Sequence, residues 1–133
     1  MARQPVIIVV PVHDPHPGPS GIVALRHLAL HLAGHPLSLL APEGLDLGAY
    51  RAWLPHATAV RAAPEHFSSV LTYNALMLRA DLYERYKDFD YLLCHQLDAA
   101  VFSDALLSWC RRGYDYVGAP WMRAEGHRLV CRG

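Results

Sequence analysis

The run Val6-Ile-Ile-Val-Val10 constrains this chain more than any other stretch. Consecutive β-branched residues crowd a helix and suit a pleated strand. Because every position is apolar, rather than every second one, both faces must be covered, as in a central strand of a parallel sheet. Pro5 and Pro11 bracket the run. It is far shorter than the ~20 residues that a membrane span needs. It also falls short of the apolar stretch of a secretory leader, and no small-residue cleavage site follows it.

The rest of the chain alternates strand-like and helix-like segments, the pattern of an α/β fold with a mainly parallel sheet and helices on both faces. After the loop His13-Asp-Pro-His-Pro-Gly-Pro19, Ser20 is placed to cap a helix running to about Ala33. Ile22, Leu25, Leu28, Ala29 and Leu32 recur there at helical spacing, and Gly34 ends it. Leu37–Ala41 reads as the second strand and Thr58–Arg61 as a short third. Leu71, Ala75, Leu78, Leu82 and Tyr86 then predict one long amphipathic helix from about Ser69 to Lys87, with its apolar stripe on the sheet. Phe89–Leu97 is the clearest strand after the first and reads as buried until Gln96 and Asp98 appear. Ser103 or Asp104 is placed to cap a helix through Cys110, Gly113 stops it, and Tyr114–Ala119 reads as a fifth strand ending in Pro120-Trp121. At 133 residues, with no repeat or linker, all of this fits a single domain.

Composition excludes several function classes. Lys plus Arg equals Asp plus Glu at 12 each, and the arginines are scattered, so nucleic acid is not an expected partner. Three cysteines with no CxxC pair suggest neither a zinc knuckle nor a disulfide framework, and fit a reducing cytoplasm. No phosphate-binding Gly-x-x-x-x-Gly-Lys loop, dinucleotide fingerprint or nucleophile elbow occurs.

In an open α/β sheet, ligands bind beyond the carboxyl ends of the strands, near the point where strand order reverses. That rule nominates Val12, His13 and Asp14, then Glu43, then Gln96–Asp98, and finally Gly118–Trp121. Asp98 stands out, because a carboxylate at the end of a buried strand needs a cation, donors or water. A divalent ion bridging it to a diphosphate would satisfy it; so would capping a helix that begins near Phe102. His13 is either a ligand contact at the strand end or an exposed imidazole on a proline-stiffened loop. Tyr73-Asn74 could reach a ligand from the helix before the fourth strand, or Asn74 could bond to backbone near the helix start, and Trp121 could stack on a sugar or belong to the core. His27, His31 and His35 recur every fourth residue, as metal ligands on a helix can, and would support a metal-dependent hydrolase; their position opposite the Leu25, Leu28, Leu32 stripe reads instead as a solvated face. His95 points away from Gln96 and Asp98 and reads as a packed core histidine.

The ordered set Tyr73-Asn-Ala-Leu-Met-Leu78, Tyr91-Leu-Leu-Cys-His-Gln-Leu-Asp98 with Val101-Phe102, Trp109-Cys110 and Gly113-Tyr-Asp-Tyr-Val-Gly-Ala-Pro-Trp121 resembles a glycosyltransferase-like family that carries only the label of a domain of unknown function. That family looks like a branch of the nucleotide-diphospho-sugar transferases with the GT-A fold. The resemblance implies that Asp98 holds Mn²⁺ or Mg²⁺ against the diphosphate of a nucleotide sugar, at the place of an Asp-x-Asp motif. Gln96 stands where the first acid would be, and an amide there adds hydrogen bonds but no negative charge. Val12 and His13 would contact the base or ribose. The family's chain continues past Gly-Ala-Pro-Trp into an acceptor-side half, so these residues would correspond to its nucleotide-binding half. A domain that keeps the fold and binds without turnover is the alternative.

Overall fold

The computed structural model describes residues 2–132. Four parallel strands form the main sheet: β1 (Gln4–Pro11), β2 (Leu37–Pro42), β3 (Thr58–Ala62) and β4 (Phe89–Cys94), in the order β3-β2-β1-β4. As the apolar run requires, β1 is central and its residues Val6–Val10 are buried. Side chains alternate between the two faces of a strand, so β1 feeds two cores. Ile8, Val10 and Val12 pack with Leu25, Leu28 and Leu32 of α1 (Gly18–Leu32) and with Leu47, Tyr50 and Leu54 around α2 (Gly48–Arg51). Ile7 and Val9, with Leu40 of β2, pack on the other face against Leu76, Leu82 and Tyr86. Ser38 is the polar exception on β2; its hydroxyl is satisfied by the Tyr86 hydroxyl at 3.2 Å.

The helix expected over Ser69–Lys87 is two. A single turn of 3-10 helix (Pro64–Phe67) leads into α3 (Val70–Met77), then the chain breaks at Leu78-Arg79 and restarts as α4 (Ala80–Glu84). Ser69 starts α3 with a reciprocal cap: its Oγ accepts from the Thr72 N–H, and the Thr72 Oγ1 accepts from the Ser69 N–H, both at 3.1 Å. The break has a geometric cause. Leu76 and Leu82 both face the sheet, yet six residues along one helix would set them about 120° apart. Arg79, in an extended conformation, resets the phase. Leu71, Ala75 and Leu78 of the expected stripe are consequently exposed.

Three further expectations are corrected. Ser20 is not the cap of α1, because the helix begins one turn earlier: Pro17 is the N-cap and Pro19 stands in the first turn. Strand β4 is an edge strand, half-buried, and ends at Cys94, so Asp98 lies in an exposed turn and neither follows a buried strand nor caps a helix at Phe102. Residues 114–119 form no strand. Asp115, Gly118 and Pro120 disfavour one, and the pairing falls to an antiparallel hairpin of β5 (Trp121–Glu125) and β6 (Arg128–Arg132) turned at Gly126. The main sheet thus has four strands rather than about five. Helix α5 (Leu106–Cys110) does form, with the Asp104 carboxylate accepting from the Leu106 N–H and Gly113 just beyond it at φ 71°.

His27, on α1, and His35, just beyond its end, form a clasp rather than a solvated face. The Nδ1–H of His27 donates to the Val101 carbonyl at 2.9 Å, and the His27 ring meets Phe102 edge-on at 5.4 Å. His35 Nε2 lies 2.8 Å from the Asp104 carboxylate, which the imidazole holds below the usual carboxylate range. These contacts pin the segment after β4 over the first core, where Leu97, Val101 and Leu106 pack. His27→Ala is expected to cost about 1 kcal/mol and to speed amide exchange across residues 96–104. Unchanged exchange there would show that apolar packing alone holds the segment.

No helix among the described residues is long and apolar enough to cross a membrane, and Cys94, Cys110 and Cys131 are free thiols.

Candidate functional site

Strands β2 and β3 lie on one side of β1 and β4 on the other, so strand order reverses between β1 and β4. Chains leaving two such strands diverge and leave a crevice at their carboxyl ends. A cleft of about 660 Å³ opens there. One wall is Pro11–Asp14 with His16 and Pro17, following β1. The facing wall is Gln96–Asp98, following β4. Phe67–Val70 and Tyr73, from the start of α3, close the third side, and Tyr50 of α2 the floor.

The β1 loop is shaped from within. The Asp14 carboxylate accepts from the His16 N–H at 2.8 Å, and the Asp14 carbonyl accepts from the Tyr50 hydroxyl at 2.5 Å. Burial and the nearby Asp14 charge raise the Tyr50 pKa, which keeps that phenol a donor. Across the cleft, Gln96 Nε2 donates to the Tyr73 hydroxyl at 3.2 Å, and that hydroxyl lies 3.8 Å from Cys94 Sγ. Burial pushes the Tyr73 pKa up to about 12, against the opposing effect of the Gln96 hydrogen bond. Tyr73 is therefore a protonated phenol at neutral pH, a hydrogen-bond donor rather than a base.

Of the residues nominated from sequence, Val12, His13, Gln96 and Asp98 line this cleft together. Glu43 does not; it lies in a separate recess beside β3. Asn74 is exposed outside the cleft, while its neighbour Tyr73 lines it, because one residue along a helix turns the side chain by 100°. Trp121 is 84% exposed at the start of the hairpin and lines neither cavity. Tyr50, Phe67, Ser68 and Ser69 were not nominated. Capping serines and core-like aromatics carry no functional signal in a sequence, and only the packing of α2 and α3 against the loops brings them here.

No group of three or more His, Cys, Asp or Glu side chains able to hold a metal ion occurs among the described residues. The cleft does present two carboxylates, Asp14 and Asp98. That donor set fits hard divalent ions of the kind bound by one or two carboxylates with the remaining ligands from phosphate and water. His27, His31 and His35 form no such group of three either; one ring nitrogen of His27 bonds the Val101 carbonyl and one of His35 the Asp104 carboxylate.

His95 separates the strand from this loop. It is buried at 7% exposure, as a core histidine, and its backbone N–H bonds Val9, but its Nε2 has no hydrogen-bond partner. Burial lowers its pKa, with the Asp98 charge opposing. A folded-state pKa below the unfolded value of about 6.5 means that stability is fully present above that value and falls as pH drops through it. His95→Leu is expected to flatten this loss. Urea midpoints of the wild type and variant at about pH 7.5 and 5.5 check it, and an equal acid shift in both would assign the effect to other groups.

Comparison with curated proteins and with solved structures gives no match for this chain. A family model does match, over residues 56–132, from the strand β3 segment through α3, β4 and α5 to the hairpin. The match contains two walls of the cleft, Phe67–Tyr73 and Gln96–Asp98, and leaves the β1 loop outside it. With more than half of its length accounted for in this way, the chain belongs to the family described as protein of unknown function DUF5672.

Proposed function

We propose that the cleft binds a nucleotide-diphosphate sugar and that the chain is the donor-binding part of a glycosyltransferase-type domain. The observation that carries this reading is a cleft at the switch point of a parallel sheet whose lining includes two carboxylates, Asp14 and Asp98, and neutral donors. In this reading Asp98 and Asp14 hold Mn²⁺ or Mg²⁺, which when bound supplies charge neutralisation for the diphosphate. Tyr73 donates its hydroxyl proton to a phosphate or sugar oxygen, and the Gln96 amide fixes the phenol's direction. Phe67 offers apolar surface for a base, and His13 and His16 stand on the wall that follows β1.

Calorimetric titration of uridine and guanosine diphosphates and their sugar conjugates, with and without Mn²⁺, tests the proposal. Metal-dependent binding is expected; binding that is absent or indifferent to metal would overturn it. A second reading is a binding domain without turnover, favoured by Gln96, whose amide adds no charge where the resemblance places an acid. A donor-hydrolysis assay on the same samples separates the two.

A further inference from the structure

We propose that a second recess, at the carboxyl end of β3 beside α4, binds a phosphate-type oxyanion. It measures about 130 Å³, room for on the order of four waters, and hence for a single phosphate group rather than a nucleotide. Glu43, Arg61, His66, Arg79, Asp81 and Arg85 supply its charged and titratable groups.

Their pairing decides the sign of the site. Arg79 donates to both carboxylate oxygens of Asp81, at 2.9 and 2.7 Å, so those two charges cancel. Arg61 and Arg85 have no carboxylate partner among the described residues. They remain, with the His66 imidazole, against the single carboxylate of Glu43. Arg61 is half-buried, and its Nη1 donates to the carbonyls of Pro42 at 2.9 Å and Leu45 at 2.8 Å. Those bonds hold the guanidinium in one plane and leave its other N–H groups without an acceptor among the described residues. Arg85 contributes only a long 3.4 Å bond to the Arg61 carbonyl. A partly buried guanidinium without a counter-charge is costly, and a planar donor fork matches phosphate oxygens. The recess thus combines a fixed cation, an exposed one and a cavity of one-group size. Nothing in this depends on the donor reading of the larger cleft.

Titration of inorganic phosphate into the intact chain at low ionic strength, followed by amide chemical shifts, tests the site. Shifts are expected around residues 61–66 and 79–85, with apparent binding at millimolar concentrations. Arg85→Ala, an exposed change whose folding is checked by thermal melting, is expected to weaken binding roughly threefold to tenfold. Glu43→Gln is expected to tighten it, and Asp98→Asn to leave it unchanged. A phosphate monoester that shifts the same amides marks the group as part of a larger ligand, and one that fails to do so marks the free anion. The proposal is overturned if Arg85→Ala and Glu43→Gln leave phosphate binding unaltered, or if Asp98→Asn removes it, since phosphate would then occupy the main cleft.

Discussion

Asp98→Asn is expected to abolish the Mn²⁺-dependent part of nucleoside-diphosphate binding, a loss of tenfold or more, about 1.4 kcal/mol at the least. The substitution keeps the shape of the side chain and removes one of only two carboxylates in the cleft. A cation held by so few protein groups depends on each of them, because diphosphate and water supply the rest of its shell. Asp98 is exposed, so stability should change by no more than about 0.5 kcal/mol, and a binding loss can be read as a site effect. Asp90→Asn, at the amino end of β4 and away from the cleft, serves as the control and should bind as the wild type does. If both variants bind alike with metal present, the donor reading loses its metal.

The second large effect lies in the core. Ile8→Ala should destabilise the domain by about 2–5 kcal/mol, and Ile8→Val by about 0.5–1.5. Ile8 is fully buried on the central strand, between β2 and β4, in the core closed by α1. A cavity there cannot collapse from the side, since hydrogen-bonded strands flank it. Against the roughly 5–15 kcal/mol by which domains are stable, the alanine variant should unfold at markedly lower denaturant. Leu30→Ala, at 74% exposure on the outer face of α1, should stay within about 0.5 kcal/mol. Urea midpoints of the three variants measure this, and equal losses at positions 8 and 30 would contradict the packing described.

Much of the architecture was readable before any coordinates. The all-apolar run at Val6–Val10 could only be central, and the Leu25, Leu28, Leu32 stripe gave α1 its buried face. Where the reading failed, local pattern met a constraint from elsewhere in the chain. Tyr114–Ala119 has strand-like residues but no neighbouring backbone to pair with. The stripe from Leu71 to Tyr86 obeys a helical period over short spans, yet both Leu76 and Leu82 must reach the same sheet, and no unbroken helix allows that. The His27, His31, His35 series looked like a solvated face because its partners, Val101, Phe102 and Asp104, lie about 70 residues later.

The candidate site divides in the same way. That a cleft would open beyond β1 and β4 follows from the parallel pattern, and Val12, His13, Gln96 and Asp98 all line one cleft there. Which strand was the edge could not follow from composition, because Leu92, Leu93 and Cys94 look as buried as the residues of β1. Only the pairing order put β4 outermost, left Asp98 in water, set Glu43 in a recess of its own and turned Tyr73 rather than Asn74 into the cleft. Periodicity and apolar runs are local properties, and they were enough to specify a parallel α/β fold and the strand ends beyond which a cleft opens. Tertiary structure decided which side chains share a cavity, because that depends on strand order and helix phase, which arise from contacts between residues far apart in the chain.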